Sequence, residues 1–468
     1  MKNRYFLTLC ILPILASSLT SCGNKDKDTI ELKIGFWPEN TETQDLAMYN
    51  QWKEAFEKDY PQYKIVGMPY TYSTETIGTV ALSGQLPTVF QTWFTEPGKL
   101  VNNGYIRSID AQLKNLGWDK MMDTEMKDTL TFNNQIYGIP RDGYGLGLLI
   151  NKKTFGENGL LPDDGKGGYL IHNPDGSPAY PTTFEEILEA SIQIHENDDK
   201  AGILILSSNK NGGWQYSNFA WNFGATLQYE ENGKIKSNLA SDEGVAALDF
   251  IKELANNEVL IRSTSVVYDD WYNNIGDKVA MAIVGSDVLD LAYLKGEVSM
   301  DDLAFVPMPT GNGKDRYSLY GGTPYVFSAE ATDEQVEGIL RFFEYIGRSP
   351  IISDISKEAM VLGYETALKK NQPILPKINP WINQEYVTYQ KELENRYVTV
   401  NMVDYKDFFD NIATNKHAEV PYGAQNMYEL LDVAIKSVLD NPSTANSKAL
   451  LTTANASMQQ YLDKNYNK

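Results

Sequence analysis

Residues able to stack against a ligand or hydrogen-bond it recur in short polar segments of this 468-residue chain. Trp37, Glu39 and Asn40 follow one alternating apolar run, and Trp93 and Glu96 follow another. Asp142 and Tyr144 stand two apart on an extended stretch beside Arg141, so they share a face. Trp214 comes after Gly212-Gly213, Trp271 precedes an apolar run, and Asp287 follows that run in Val284-Gly285-Ser286-Asp287. Gly322, next to Gly321 and between Tyr320 and Tyr325, could bring backbone close to a ligand, and Tyr428 lies beyond Pro421. Aromatic faces suit the flat C–H surface of a sugar ring, while carboxylates, amides and Arg suit its hydroxyl rim. The chain holds 8 Trp and 29 Tyr, a supply that fits such a cleft, although core packing also consumes Trp.

Other chemistries find few residues here. Lys314 in Gly311-Asn312-Gly313-Lys314-Asp315 lacks the leading Gly and the Ser/Thr of a phosphate loop, and Gly143-Tyr144-Gly145-Leu146-Gly147 is no dinucleotide fingerprint. Neither Gly-x-Ser-x-Gly nor His-Glu-x-x-His occurs. Two cysteines and three scattered histidines leave no disulfide framework or cysteine-rich zinc site, so no metal or cofactor is expected. A net charge of −21 without clustered Lys and Arg argues against nucleic acid as a partner. The 62 acidic residues leave a glycosidase carboxylate pair open.

The elements that must position these residues alternate. Residues 1–21 begin with Lys2 and Arg4 and continue through a short apolar run, the pattern of an export signal. Leu19-Thr20-Ser21-Cys22 resembles the lipobox of bacterial lipoproteins, which implies lipidation of Cys22 and a membrane anchor, with 22–29 as a flexible tether. Ile30, Leu32, Ile34 and Phe36 alternate as a strand, and Leu46, Tyr49, Trp52, Phe56 and Tyr60 form a helical stripe before Pro61. With a strand over 63–70 this is a βαβ unit, and such units build parallel sheets. Thr183–Glu186 and Thr332–Gln335 read as capping boxes that open helices. Gly202–Leu206 and Lys278–Val284 read as strands, and Val245–Leu254 as a helix. Beyond Pro350 the chain reads as mainly helical, broken at Pro373–Pro380 and Pro421. Turn residues over 163–181 predict an inserted β-hairpin whose acidic residues could meet calcium, without EF-hand spacing.

The order of segments resembles the bacterial extracellular solute-binding proteins of the sugar-binding kind that includes maltose-binding protein. The resemblance rests on Ala81–Val89, Leu100–Ile106, Asn134–Pro140 followed by Leu149–Phe155, Pro181–Leu188 and Gly276–Met281; Thr88 stands where the pattern has Asp. It implies an α/β, two-lobed periplasmic-binding-protein-like fold of type II, two doubly wound sheets joined by hinge crossovers. Lobe one would hold 30–142 and 280–328, and lobe two 143–279 and 329–468. It further implies ligand contacts from the loop at Trp37, stacking by Trp214, closure by Tyr428, and a hydrogen-bonding Asp287 where relatives carry Trp. The expectation is a non-enzymatic, lipid-anchored monomer on the outer face of the membrane. It would bind a carbohydrate for an ABC permease. The alternatives are a non-sugar solute such as a peptide or polyamine, or a surface glycoside hydrolase.

Overall fold

The computed structural model describes residues 29–467, so the export signal, Cys22 and the tether up to residue 28 lie outside the described residues. Strands in chain order are β1 (Ile30–Ile34), β2 (Tyr63–Gly67), β3 (Val89–Gln91), β4 (Thr131–Phe132), β5 (Gln135–Ile136), β6 (Gly138–Asn151), β7 (Ala201–Leu204), β8 (Gln228–Glu231), β9 (Lys234–Ser237), β10 (Val279–Gly285), β11 (Leu303–Val306), β12 (Ser318–Phe327) and β13 (Lys416–Ala418). Nine of them are hydrogen-bonded together: seven in the order β2-β1-β3-β12-β6-β10-β7, with β11 added on β6 and β13 on β12. The first half of β6 pairs antiparallel with β12, while its second half pairs with β10 and β11. A single 14-residue strand therefore belongs to both lobes.

In the first lobe, β1, β2 and β3 run parallel as the βαβ reading requires. Helix Thr43–Asp59 turns Trp52 and Phe56 inward, and helix Asp333–Tyr345 turns Val336, Ile339 and Phe343 inward. These meet Leu32, Ile34 and Ile65 in one core. In the second lobe, helices Phe184–Asp198, Asn211–Asn222, Asp242–Asn256, Ala424–Asp440 and Ser447–Asn465 enclose Leu148, Ile150, Ile203 and Ile283. Both capping boxes form, at Thr183 with Glu186 and at Thr332 with Gln335.

Strand pairing corrects the expected lobe boundaries in two places. β10 and β11 join the second half of β6 and β7, so 279–306 sits in the second lobe's sheet and not the first's. Ala280–Ile283 is apolar on both faces and needs helices on each side, which that position supplies. Helix Asp333–Tyr345 packs on β1 and on helix Thr43–Asp59, and helix Asp354–Lys369 packs on both of those helices, placing them in the first lobe. The 163–181 insertion carries two small bridges, Asp163 with Tyr169 and His172 with Pro178, and no ladder strand. Asp407 pins it, accepting from Tyr180 Oη at 2.8 Å and lying 2.7 Å from His172 Nε2. Its carboxylates accept turn N–H groups, as Asp164 does from Lys166 and Gly168.

Candidate ligand-binding cleft

Where β6 crosses β12, Thr323 pairs with Asp142 but Pro324 pairs with Pro140, leaving Arg141 as the extra residue of a bulge. A bulge bends the strand and re-aims its side chain. Arg141 Nε donates to Asp142 Oδ2 at 2.6 Å and its Nη1 donates to Gln91 Oε1 at 3.2 Å. Asp142 Oδ1 has no hydrogen-bond partner among the described residues. The next inward residue, Tyr144, lies over Gly321, where an added Cβ would sit 2.5 Å from its ring. Only glycine lets that ring lie so close to the return strand.

Tyr144 begins an aromatic wall. Trp214 meets it edge-on at 6.2 Å between centroids, and Tyr268 meets Trp214 at 5.4 Å and 81°. Asp432 anchors the start of the Trp214 helix, accepting from Lys210 N–H at 2.7 Å and Gly213 N–H at 2.8 Å. Tyr268 Oη accepts from Gly285 N–H at 3.1 Å. Ser286 and Gly145 exchange hydrogen bonds at 3.0 and 3.2 Å, which locks the turn carrying Asp287 to the crossover.

Beside this wall is a cavity of about 400 Å³ whose lining includes Tyr49, Arg141, Asp142, Asp287, Arg348 and Lys377. That volume suits a small ligand. Asp287 is exposed to water, yet it stands beside Tyr144 and Tyr268. Burial first, and then the Asp142 charge, push its carboxyl up to about 7 against the pull of Arg141. Lys377, although exposed on one side, is pushed down to about 8 by the protein crowded around its ammonium and by the Arg348 charge.

Asp142, Tyr144, Trp214 and Asp287 therefore come together. Trp93 and Glu96 both meet Tyr72: Trp93 is 45% exposed with its ring 5.3 Å from that ring, and Glu96, 2% exposed, accepts from Tyr72 Oη. Glu96 lines a space of about 340 Å³ with Lys210 and Gln425, and Gln425 Nε2 donates to Thr95 Oγ1 at 3.2 Å across the lobes. Two expectations are corrected by burial in the core. Trp271 is 1% exposed, a core side chain of helix Asp270–Asn274. Tyr428 is also 1% exposed; its helix packs on Gly213, and its hydroxyl donates to Glu419 Oε1 at 2.7 Å instead of covering a ligand. The Cβ direction of Gly322 is filled by Phe94 and the Asp142 carbonyl, so this glycine serves packing. Trp37 turns back onto Gly67 and Tyr49, while Glu39 and Asn40 face solvent. Tyr49, Tyr268, Arg348 and Lys377 went unread as site residues in the sequence. They come from helices and loops far along the chain, and only the Tyr49 stripe had a local signal.

Two α/β lobes sharing crossover strands, with a polar and aromatic cavity at the crossing, define a solute-capture protein. Residues 51–378 match the bacterial extracellular solute-binding protein family, and the chain belongs to it. A similar protein is YcjN of Escherichia coli (strain K12), described as an ABC transporter periplasmic-binding protein; it is 21% identical over 398 residues, 82% of this chain and 84% of that one. Among solved structures, maltose-bound MalE3 of T. maritima aligns with a TM-score of 0.67 at 15% identity, over 93% of this chain and 100% of that one. The GacH receptor of Streptomyces glaucescens, solved unliganded and with acarbose, gives 0.67 at 17% over 94% and 99%. UgpB from Mycobacterium tuberculosis with glycerophosphocholine gives 0.66 at 13% over 93% and 99%. At these identities the likeness is one of fold. Among the described residues, no helix is long and apolar enough to cross a membrane.

Proposed function

We propose that this protein is the substrate-binding component of an ABC importer, holding a sugar or oligosaccharide between its lobes and passing it unaltered to a permease. Attachment through a lipid on Cys22 would keep it at the outer face of the membrane. The observation that carries the reading is the Tyr144–Trp214–Tyr268 wall set beside Arg141, Asp142 and Asp287 at the crossover. Rings supply the apolar platform, and Asp142 Oδ1 is an acceptor waiting for a hydroxyl. MalE3 with maltose, GacH with acarbose and the ABC-transporter relative support the same reading by analogy.

Titration with a panel of oligosaccharides, followed by calorimetry and Trp fluorescence, is the test. Saturable binding by at least one sugar is expected, without release of reducing ends. Response only to peptides or polyamines reassigns the solute, and new reducing ends reassign the protein to glycoside hydrolysis. Trp214→Ala is expected to weaken sugar binding by about 1 kcal/mol, and an unchanged Kd removes this ring from the site.

A further inference from the structure

Three cations converge on the larger cavity, and only one is neutralised. Gly347, with φ of +66°, ends helix Asp333–Tyr345 in the left-handed conformation and turns the chain so that Arg348 lines the cavity. Lys377 comes from the loop between helices Asp354–Lys369 and Gln384–Tyr397, which is held against the crossover by a bridge between Ile378 and Gly143. Arg141 enters from the bulge and is paired to Asp142 at 2.6 Å. Among the described residues, no carboxylate oxygen lies within 4.0 Å of the Arg348 guanidinium or the Lys377 ammonium, although Glu394 Oε1 accepts from the Lys377 backbone N–H at 3.1 Å. The Lys377 ammonium instead sits 5.4 Å over the Tyr364 ring.

Two cations that repel each other in a half-enclosed space are unfavourable without a counter-charge. Of the nearby carboxylates, Asp142 is paired with Arg141 and Glu394 is turned to the Lys377 backbone N–H, so neither forms an ion pair with the two free cations. Asp290, which also lines the cavity, is engaged by Gln372 Nε2 at 2.7 Å. We infer that the cleft takes a saccharide carrying a singly charged acidic group, a uronate carboxylate or a sulfate ester, received between Arg348 and Lys377. A doubly charged phosphate would meet Asp142, Asp287 and Asp290 from the same cavity, so a single charge balances the lining better. The guanidinium fork of Arg348 matches two oxygens of either group. This inference rests on the sugar reading above and narrows it.

Calorimetry on the full chain with four probes tests it: an oligouronide, the same oligomer with its carboxyls reduced to alcohols, a sulfated oligosaccharide and its neutral parent. One acidic probe is expected to bind about tenfold or more tighter than its neutral twin, with affinity falling as salt rises; the winning probe identifies the group. Arg348→Gln and Lys377→Gln are each expected to shrink that ratio, while Lys377→Arg keeps it. Melting curves report whether each variant folds, and Lys377, on a loop, supplies the test if Arg348→Gln does not. Neutral and acidic twins binding equally, or selectivity surviving both substitutions, overturns the acidic-group inference and leaves sugar binding standing. If none of the four probes nor any neutral sugar binds, the sugar reading fails and this inference falls with it.

Discussion

Asp287 holds a proton at a pH where a free aspartate has lost it, because burial and Asp142 both oppose its charge. The groups facing it are Asp142 and Arg141 from β6, Tyr144, Tyr268 and Asp290. Its folded carboxyl titrates near 7, whereas the unfolded one titrates near 4. The folded state therefore binds the extra proton, and stability from this group falls as pH rises from about 4 to about 7, then levels. Water on one side of the carboxylate screens the effect, so the slope is shallow. Asp287→Asn is expected to raise Tm over the parent at pH 8 and to leave it alike at pH 4. Parallel melting curves across that range would refute this account. Of the site's residues, the sequence made Asp142, Tyr144 and Asp287 visible because they lie in a turn or on a strand with a readable face, and Trp214 because it follows Gly212-Gly213 at the start of a helix. Arg348 and Lys377 were invisible: a cation after a helix and one in a proline-rich loop carry no pattern until the fold brings them opposite β6.

At the scale of elements, local rules survived and long-range pairing did not. The capping boxes at Thr183 and Thr332 depend on residues three apart, and both formed as read. Thr332→Ala is expected to lower stability by about 1 kcal/mol in denaturant melts, since its hydroxyl accepts the Gln335 N–H; no change in midpoint would argue that the first turn is held by packing alone. The assignment of β10 to a lobe, by contrast, depends on its pairing with β6 some 130 residues earlier, and an apolar run fits any buried central position equally well. A buried pair closes the same region: Lys152 Nζ lies 2.8 Å from Asp404 Oδ2, tying the end of β6 to the C-terminal segment. Asp404→Ala would strand the ammonium in the interior and is expected to cost about 3 kcal/mol, read as a lower unfolding midpoint. A midpoint within error of the parent's would mean that Lys152 escapes to water.

For the whole molecule, the two lobes touch across the mouth through Gln425 to Thr95 and through Lys210 Nζ to Thr74 at 3.5 Å. Such single contacts involving polar side chains are weak enough to open and re-form. The lobes themselves are joined along β6 and β12, whose seven paired positions run from Tyr320 to Val326. Hinges in proteins are more often a few loop residues that absorb a change in φ and ψ. Here the joint is a laddered ribbon, paired on both sides of the Arg141 bulge. Any swing of one lobe must then be accommodated as extra twist spread over many residues, in the manner of a torsion spring, and amide protons along this ribbon should stay slow to exchange even while the mouth gapes.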